Sequence, residues 1–132
     1  MEVRHPDWFK KPELTEELFS KLKEMNIGAV ITDTAGRRDC AHMHLTLPKT
    51  FIRYVGNSLH TSDYIRIDVW VKRMKNWLDK GMEELYFFMH MHDEATSPEL
   101  TVYLVDKMNK ELGLNLIKPK FIEGGTQTGL FD

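Results

Sequence analysis

Two His-x-His pairs occur in the chain, His42-Met43-His44 and His90-Met91-His92. Alternate residues of an extended segment point to one side, so each pair can present two imidazoles to one ion. Asp33, Asp93 or Glu94 would complete a ligand set for a divalent metal. The spacing is not that of a signature metal motif, and packing is the competing use of such histidines. Arg53 offers a second chemistry. It lies within Phe51-Ile52-Arg53-Tyr54-Val55, on the face of Phe51 and Val55. A guanidinium in an apolar strand is costly to bury without an acid beside it. Glu2 and Asp33 are the natural partners. Such charges either pin strand register as an internal ion-pair network or hold a ligand. Arg4 shares a face with Glu2 by period two. Arg4 and Arg53 suit a carboxylate or phosphate group. Glu2 or Asp33 would then act as general base, and His90 or His92 as acid–base group or metal ligand.

These residues need elements to position them. Leu14, Leu18, Leu22 and Met25 recur at helical spacing, so a helix is predicted over 13–25, with Asn26 as its stop. Ile27 to Thr32 reads as a buried strand ending at Asp33. Residues 34–50 show no helical period and form a long connection. Residues 51–55 are a second strand, closed by Gly56. Ser62 or Asp63 caps a helix over 64–80, whose stripe is Ile67, Trp70, Val71, Met74, Trp77 and Leu78. Tyr64 and Trp8 stand at loop edges, where they line a pocket or pack. Leu85 to Met89 is a third strand running into His90. Ser97-Pro98 starts a last helix that reaches Gly113. Residues 1–5 form a thin strand, Leu114 to Phe121 an extended piece, and 123–132 a mobile tail. The alternation of strands and helices predicts an α/β fold with a parallel sheet. In such folds sites form beyond the carboxyl ends of the strands.

Composition narrows the function classes. At 132 residues, 42% hydrophobic, 29% charged and a formal charge of −2, the chain is an ordinary globular domain. It lacks the concentrated basic surface that nucleic acid or an anionic membrane requires. Arg37 and Arg38 form a small basic cluster, read here as a solvated face. No segment approaches the roughly 18 apolar residues of a membrane span. The single cysteine, Cys40, excludes an intrachain disulfide and suits a reducing cytoplasm. A lone thiol beside His42 and His44 is read as incidental.

The segments together resemble the YecE-like family, domain-of-unknown-function family seventy-two. Glu2-Val3-Arg4-His5-Pro6-Asp7-Trp8 is similar to its E-x-R-x-x-x-W segment, and Phe51 to Gly56 to its Y-x-R-x-H-G strand. Val30 to Thr34 resembles its next strand. Tyr64, Ile67, Trp70 and Trp77 match its Y…W…W helix, and Glu84 to Phe88 its v-Y-v-Y-F strand. The resemblance implies that residues 1–122 are the C-terminal half of a TIM-type (β/α)8 barrel, which needs about 250 residues in full. It also implies that Glu2, Arg4, Asp33, Arg53 and Gly56 line a polar cavity. Two positions depart from the family: His90-Met91-His92 where asparagine is usual, and Val55 where histidine precedes the glycine.

Two functions follow as expectations. One is an enzyme, a hydrolase or phosphate-ester catalyst acting on a small polar or anionic substrate. Glu2, Asp33 and His90 would be catalytic; Arg4, Arg53, Gly56 and Tyr64 would bind substrate; His90 and His92 would hold any metal. The other is a non-catalytic half-barrel, whose open edges pair in a homodimer or with a separate N-terminal half-barrel.

Overall fold

The computed structural model describes residues 1–91 and 94–118. The predicted tail over 123–132, the end of the extended piece over 114–121, and His92 lie outside the described residues. Strands β1 (Val30–Thr34), β2 (Lys49–Val55) and β3 (Glu84–His90) form one parallel sheet in the order β1-β2-β3. The register is continuous across it, with Thr32 opposite Arg53 and Arg53 opposite Phe88. Helix α1 spans Asp7–Lys10, α2 Pro12–Glu24, α3 Thr61–Asp79 and α4 Ser97–Leu112. A parallel sheet with helix α3 crossing from β2 to β3 is consistent with a partial β/α barrel.

Alternation divides each strand between two faces. Ile31, Ile52 and Tyr54 are fully buried, and pack with Ile67, Trp70 and Met74 of α3 and Leu100 and Leu104 of α4. Val30, Thr32, Phe51, Arg53, Tyr86, Phe88 and His90 occupy the other, inner face. Phe9, Phe19, Leu22, Ala29 and Ile27 make a smaller cluster under α2.

Several boundaries differ from the sequence expectation, each for a local reason. The first strand is reduced to a single bridge, Glu2 to Val30. Pairing in β1 starts at Val30 rather than Ile27, because Ile27 and Ala29 pack against α2. Residues 7–10, expected as loop, make one helical turn. His60, not Ser62 or Asp63, is the N-cap of α3, its ring accepting from the Ser62 N–H at 3.1 Å. Residues 114–118 form no strand; the Asn109 side chain binds both the N–H and the carbonyl of Leu116. Gly113 ends α4 at φ 67, the left-handed conformation common at helix ends.

Asp33 ties the sheet to α3. Its side chain is 5% exposed. One oxygen accepts from Trp70 Nε1 at 2.6 Å, and the other from Arg66 Nη2 at 2.9 Å and from Arg38. Arg66 also donates to the Asp33 and Val55 carbonyls, and lies 4.2 Å over the Tyr54 ring. Burial alone would raise the Asp33 carboxyl. The hydrogen bonds from Trp70 and Arg38, and then the charge of Arg66, hold it below the usual carboxylate range. Removing one partner of a buried charge pair costs about 3–5 kcal/mol. Asp33→Ala is therefore expected to lower stability by about that amount in urea unfolding; a loss below about 1 kcal/mol, the surface-pair range, would refute this role.

Candidate functional site

A cleft of about 260 Å³ opens on the inner face at the carboxyl ends of β1 and β2. Arg4, Thr32, Thr34, Arg37, Cys40, Arg53 and Val55 line it. They arrive from four segments of the chain. Period two places Thr32 and Thr34 on the inner face of β1, and Arg53 and Val55 beside them on β2. Arg4 comes from the segment that bridges β1. Arg37 and Cys40 come from the long connection that replaces a crossover helix between β1 and β2.

Glu2 organises the floor of the cleft. Its Oε1 accepts from Thr32 Oγ1 at 2.7 Å and from Arg53 Nη1, while Oε2 accepts from Arg4 Nε at 2.8 Å. Burial favours the neutral acid. Hydrogen bonds from Thr32, Arg53 and Arg4 outweigh it, and the Glu2 carboxyl is held below its usual range. A carboxylate satisfied in this way is a fixed anion that aims two guanidiniums. Arg37 is set by its own acid and by the wall: Nε binds Asp39 Oδ1 at 3.0 Å, and Nη2 binds the Arg4 carbonyl at 2.9 Å. Cys40 is buried, with its thiol on that same carbonyl. Among the described residues, three guanidiniums thus meet two carboxylates around one cleft.

The structure brings Glu2, Arg4 and Arg53 together, as the period-two reading requires. His90 stands one strand away on the same inner face, opposite Val55 and stacked on Phe88 at 6.4 Å. Asp33 is not among them. It points to the opposite face, and among the described residues the acid that pairs with Arg53 is Glu2. Gly56 is buried beneath the cleft. Its N–H binds the His90 carbonyl at 2.8 Å, and a Cβ there would collide with Met91 Sδ and crowd the Asp63 carboxylate at 3.1 Å. This close approach explains the glycine without a ligand. Tyr64 packs edge-on against Tyr103 at 4.8 Å, between α3 and α4 and away from the cleft. Sequence reasoning missed Thr32 and read Arg37 and Cys40 as incidental. Their signal was position, since each ends or follows the β1 strand on the side where parallel sheets place sites.

The described histidine pair 42/44 lies apart from His90. His42 stacks on Phe9 at 5.5 Å and His44 on Phe19 at 4.6 Å, under α2 rather than beside His90. Among the described residues no three His, Cys, Asp or Glu side chains group as metal ligands. Burial, then the His44 charge, lowers His42 from 6.5 to about 4.

The fold is that of a parallel β/α protein consistent with a partial barrel, with an arginine-lined cleft at its strand ends. The chain belongs to the DUF72 family, described as a protein of unknown function, whose model matches residues 1–121. It is 29% identical to the UPF0759 protein YecE of Escherichia coli strain K12, over 85% of this chain and 47% of that protein. The match to YecE of strain O157:H7 has the same values. A crystal structure of a DUF72 family protein from Enterococcus faecalis V583 aligns with TM-score 0.63 and 16% identity, covering 92% of this chain and 50% of the other. That likeness shows the fold. The chain spans about half the length of the curated relatives it matches. No helix among the described residues is long and apolar enough to cross a membrane.

The His42 environment has a measurable consequence. The folded state keeps His42 neutral at pH values where the unfolded chain protonates it. Its contribution is complete above pH 6.5 and is lost as the pH falls towards 4. Denaturant unfolding at pH 7 and pH 5 is expected to show this fall in the native protein and a shallower one in His42→Gln. Equal slopes would refute the assignment.

Proposed function

We propose that the chain supplies the anion-holding wall of a small-molecule site at the carboxyl ends of a β/α barrel. The observation that carries this reading is the convergence of Arg4, Arg37 and Arg53 on one cleft, where among the described residues Glu2 and Asp39 pair with them. Guanidinium groups suit carboxylate and phosphate oxygens, which accept bidentate hydrogen bonds. Thr32 and Thr34 add hydroxyls beside them. The ligand class is therefore a small phosphate- or carboxylate-bearing molecule.

Hydrolysis of such a substrate is the reaction this wall suits. Glu2 orients the arginines rather than abstracting a proton, since two cations and a hydroxyl hold it ionised. His90 is the acid–base candidate one strand away. A divalent metal would use His90 and His92. The single cysteine, buried and free, suits a cytoplasmic location. A second reading is a non-catalytic half-barrel that dimerises or completes a split barrel. It is favoured by the exposed Tyr86 and Phe88 on the inner face.

Titration with inorganic phosphate at constant ionic strength tests the first reading. Phosphate is expected to raise the thermal midpoint of the native chain and to bind Arg53→Met on the order of tenfold more weakly, a difference of about 1.4 kcal/mol. Equal binding by Arg53→Met and the native chain would sink the proposal.

A further inference from the structure

The arginines of the cleft are partly engaged by the protein itself, and what remains of them is selective. A guanidinium recognises a carboxylate best through two parallel N–H bonds from one edge. In Arg37 the Nε–Nη2 edge is taken, since Nε binds Asp39 Oδ1 at 3.0 Å and Nη2 binds Asp39 Oδ2 at 3.1 Å. Nη2 also donates to the Arg4 carbonyl at 2.9 Å. In Arg4 the same edge closes on Glu2 Oε2, with Nε at 2.8 Å and Nη2 at 2.7 Å. Arg53 engages the other Glu2 oxygen through Nη1. Among the described residues this leaves Nη1 of Arg4, Nη1 of Arg37 and the Nε–Nη2 edge of Arg53 without a bond. The Thr32 hydroxyl is engaged too, donating to Glu2 at 2.7 Å, while Thr34 lines the cleft beside it.

We propose that the cleft takes the terminal phosphate of a small phosphate monoester in preference to a carboxylate or a phosphodiester. The inference rests on the anion-wall reading and narrows its ligand class.

Oxygen count carries the choice. The edge of Arg53 serves two oxygens as a fork. The single Nη1 groups of Arg4 and Arg37 then call for a third. A monoester has three terminal oxygens on a tetrahedral phosphorus. A carboxylate has two in one plane, and a diester has two that are not esterified. Each of these satisfies Arg53 and leaves the other two arginines unmet. A site built to bond a group discriminates against an analogue that lacks it, because its polar groups then stay unpaired. Charge acts in the same direction, since a monoester carries about −1.5 to −2 near neutral pH. The supports are fixed in advance. Glu2 holds Arg4 and Arg53 on its two oxygens, and Asp39 and the Arg4 carbonyl hold Arg37, so binding orders few side chains. At about 260 Å³ the cleft lies at the lower end of ligand pockets, which suits a small organic part.

Calorimetric titration of the native 132-residue chain with inorganic phosphate, malonate and dimethyl phosphate is the test. Constant ionic strength and a pH of about 8 keep phosphate doubly charged, and its three unprotonated oxygens stand in for those of the monoester. Malonate matches that charge with carboxylates. Dimethyl phosphate keeps the tetrahedral centre but has two free oxygens. Phosphate is expected to bind on the order of tenfold more tightly than either. Equal binding of malonate, or of dimethyl phosphate, overturns the inference and leaves the anion wall standing. Failure of all three to bind sinks the wall and the inference with it. Arg37→Met is expected to weaken phosphate on the order of tenfold and to shrink its preference over malonate. A preference of unchanged size in that variant overturns the inference. Should Arg37→Met fail to fold, the three affinities of the native chain decide by themselves.

Discussion

Asp33 is the charge on which the arrangement turns. A carboxylate with 5% exposure is tolerable only because Trp70, Arg66 and Arg38 all donate to it. Desolvation of an unpaired carboxylate would cost several kcal/mol. The partners come from α3 and from the β1–β2 connection, so satisfying one side chain docks the helix on the sheet and anchors the loop. No crossover helix packs between β1 and β2 to do this by apolar contact. Arg66 takes its place, spanning the carbonyls of Asp33 and Val55 and lying flat on Tyr54.

With Asp33 turned to the helices, alternation turns Thr32 and Thr34 inward. The register then sets Thr32 beside Arg53. Glu2 reaches both from the neighbouring segment. The two acids thus do different work on opposite faces of the same sheet. One is sealed among helix side chains and holds structure. The other faces an open cleft and keeps two arginines in place. The larger groove, about 420 Å³ between α3 and α4, is lined by Lys72, Lys75 and Lys107 together with Asp68 and Glu111. Its Asp68 is already committed to Tyr103 and Lys107.

Much of the fold was legible in the sequence. The apolar stripes of α2 and α3, the glycine after α4, and the apolar runs of β2 and β3 each carry a local signal that tertiary contact reinforces. Arg53 announced its need for an acid because a cation between Phe51 and Val55 cannot be left unpaired. Elements without a periodic apolar pattern were harder to place. The turn at 7–10 has none, and the 35–48 connection carries chemistry in residues whose types look like solvent-exposed loop. The two histidine pairs had the right spacing for a common ion, yet His42 stacks on Phe9 and His44 on Phe19, because imidazole is flat enough to serve as packing.

By itself the sequence determined the parallel β/α order, the resemblance to its family, and the period-two grouping of Glu2 with Arg4. These follow from spacing along one segment, which local geometry enforces. Tertiary structure alone decided which acid Arg53 receives. Glu2 and Asp33 were equal candidates in sequence. The choice depends on which face of β1 meets α3, and that was settled by Trp70 and Arg66, more than thirty residues further along the chain.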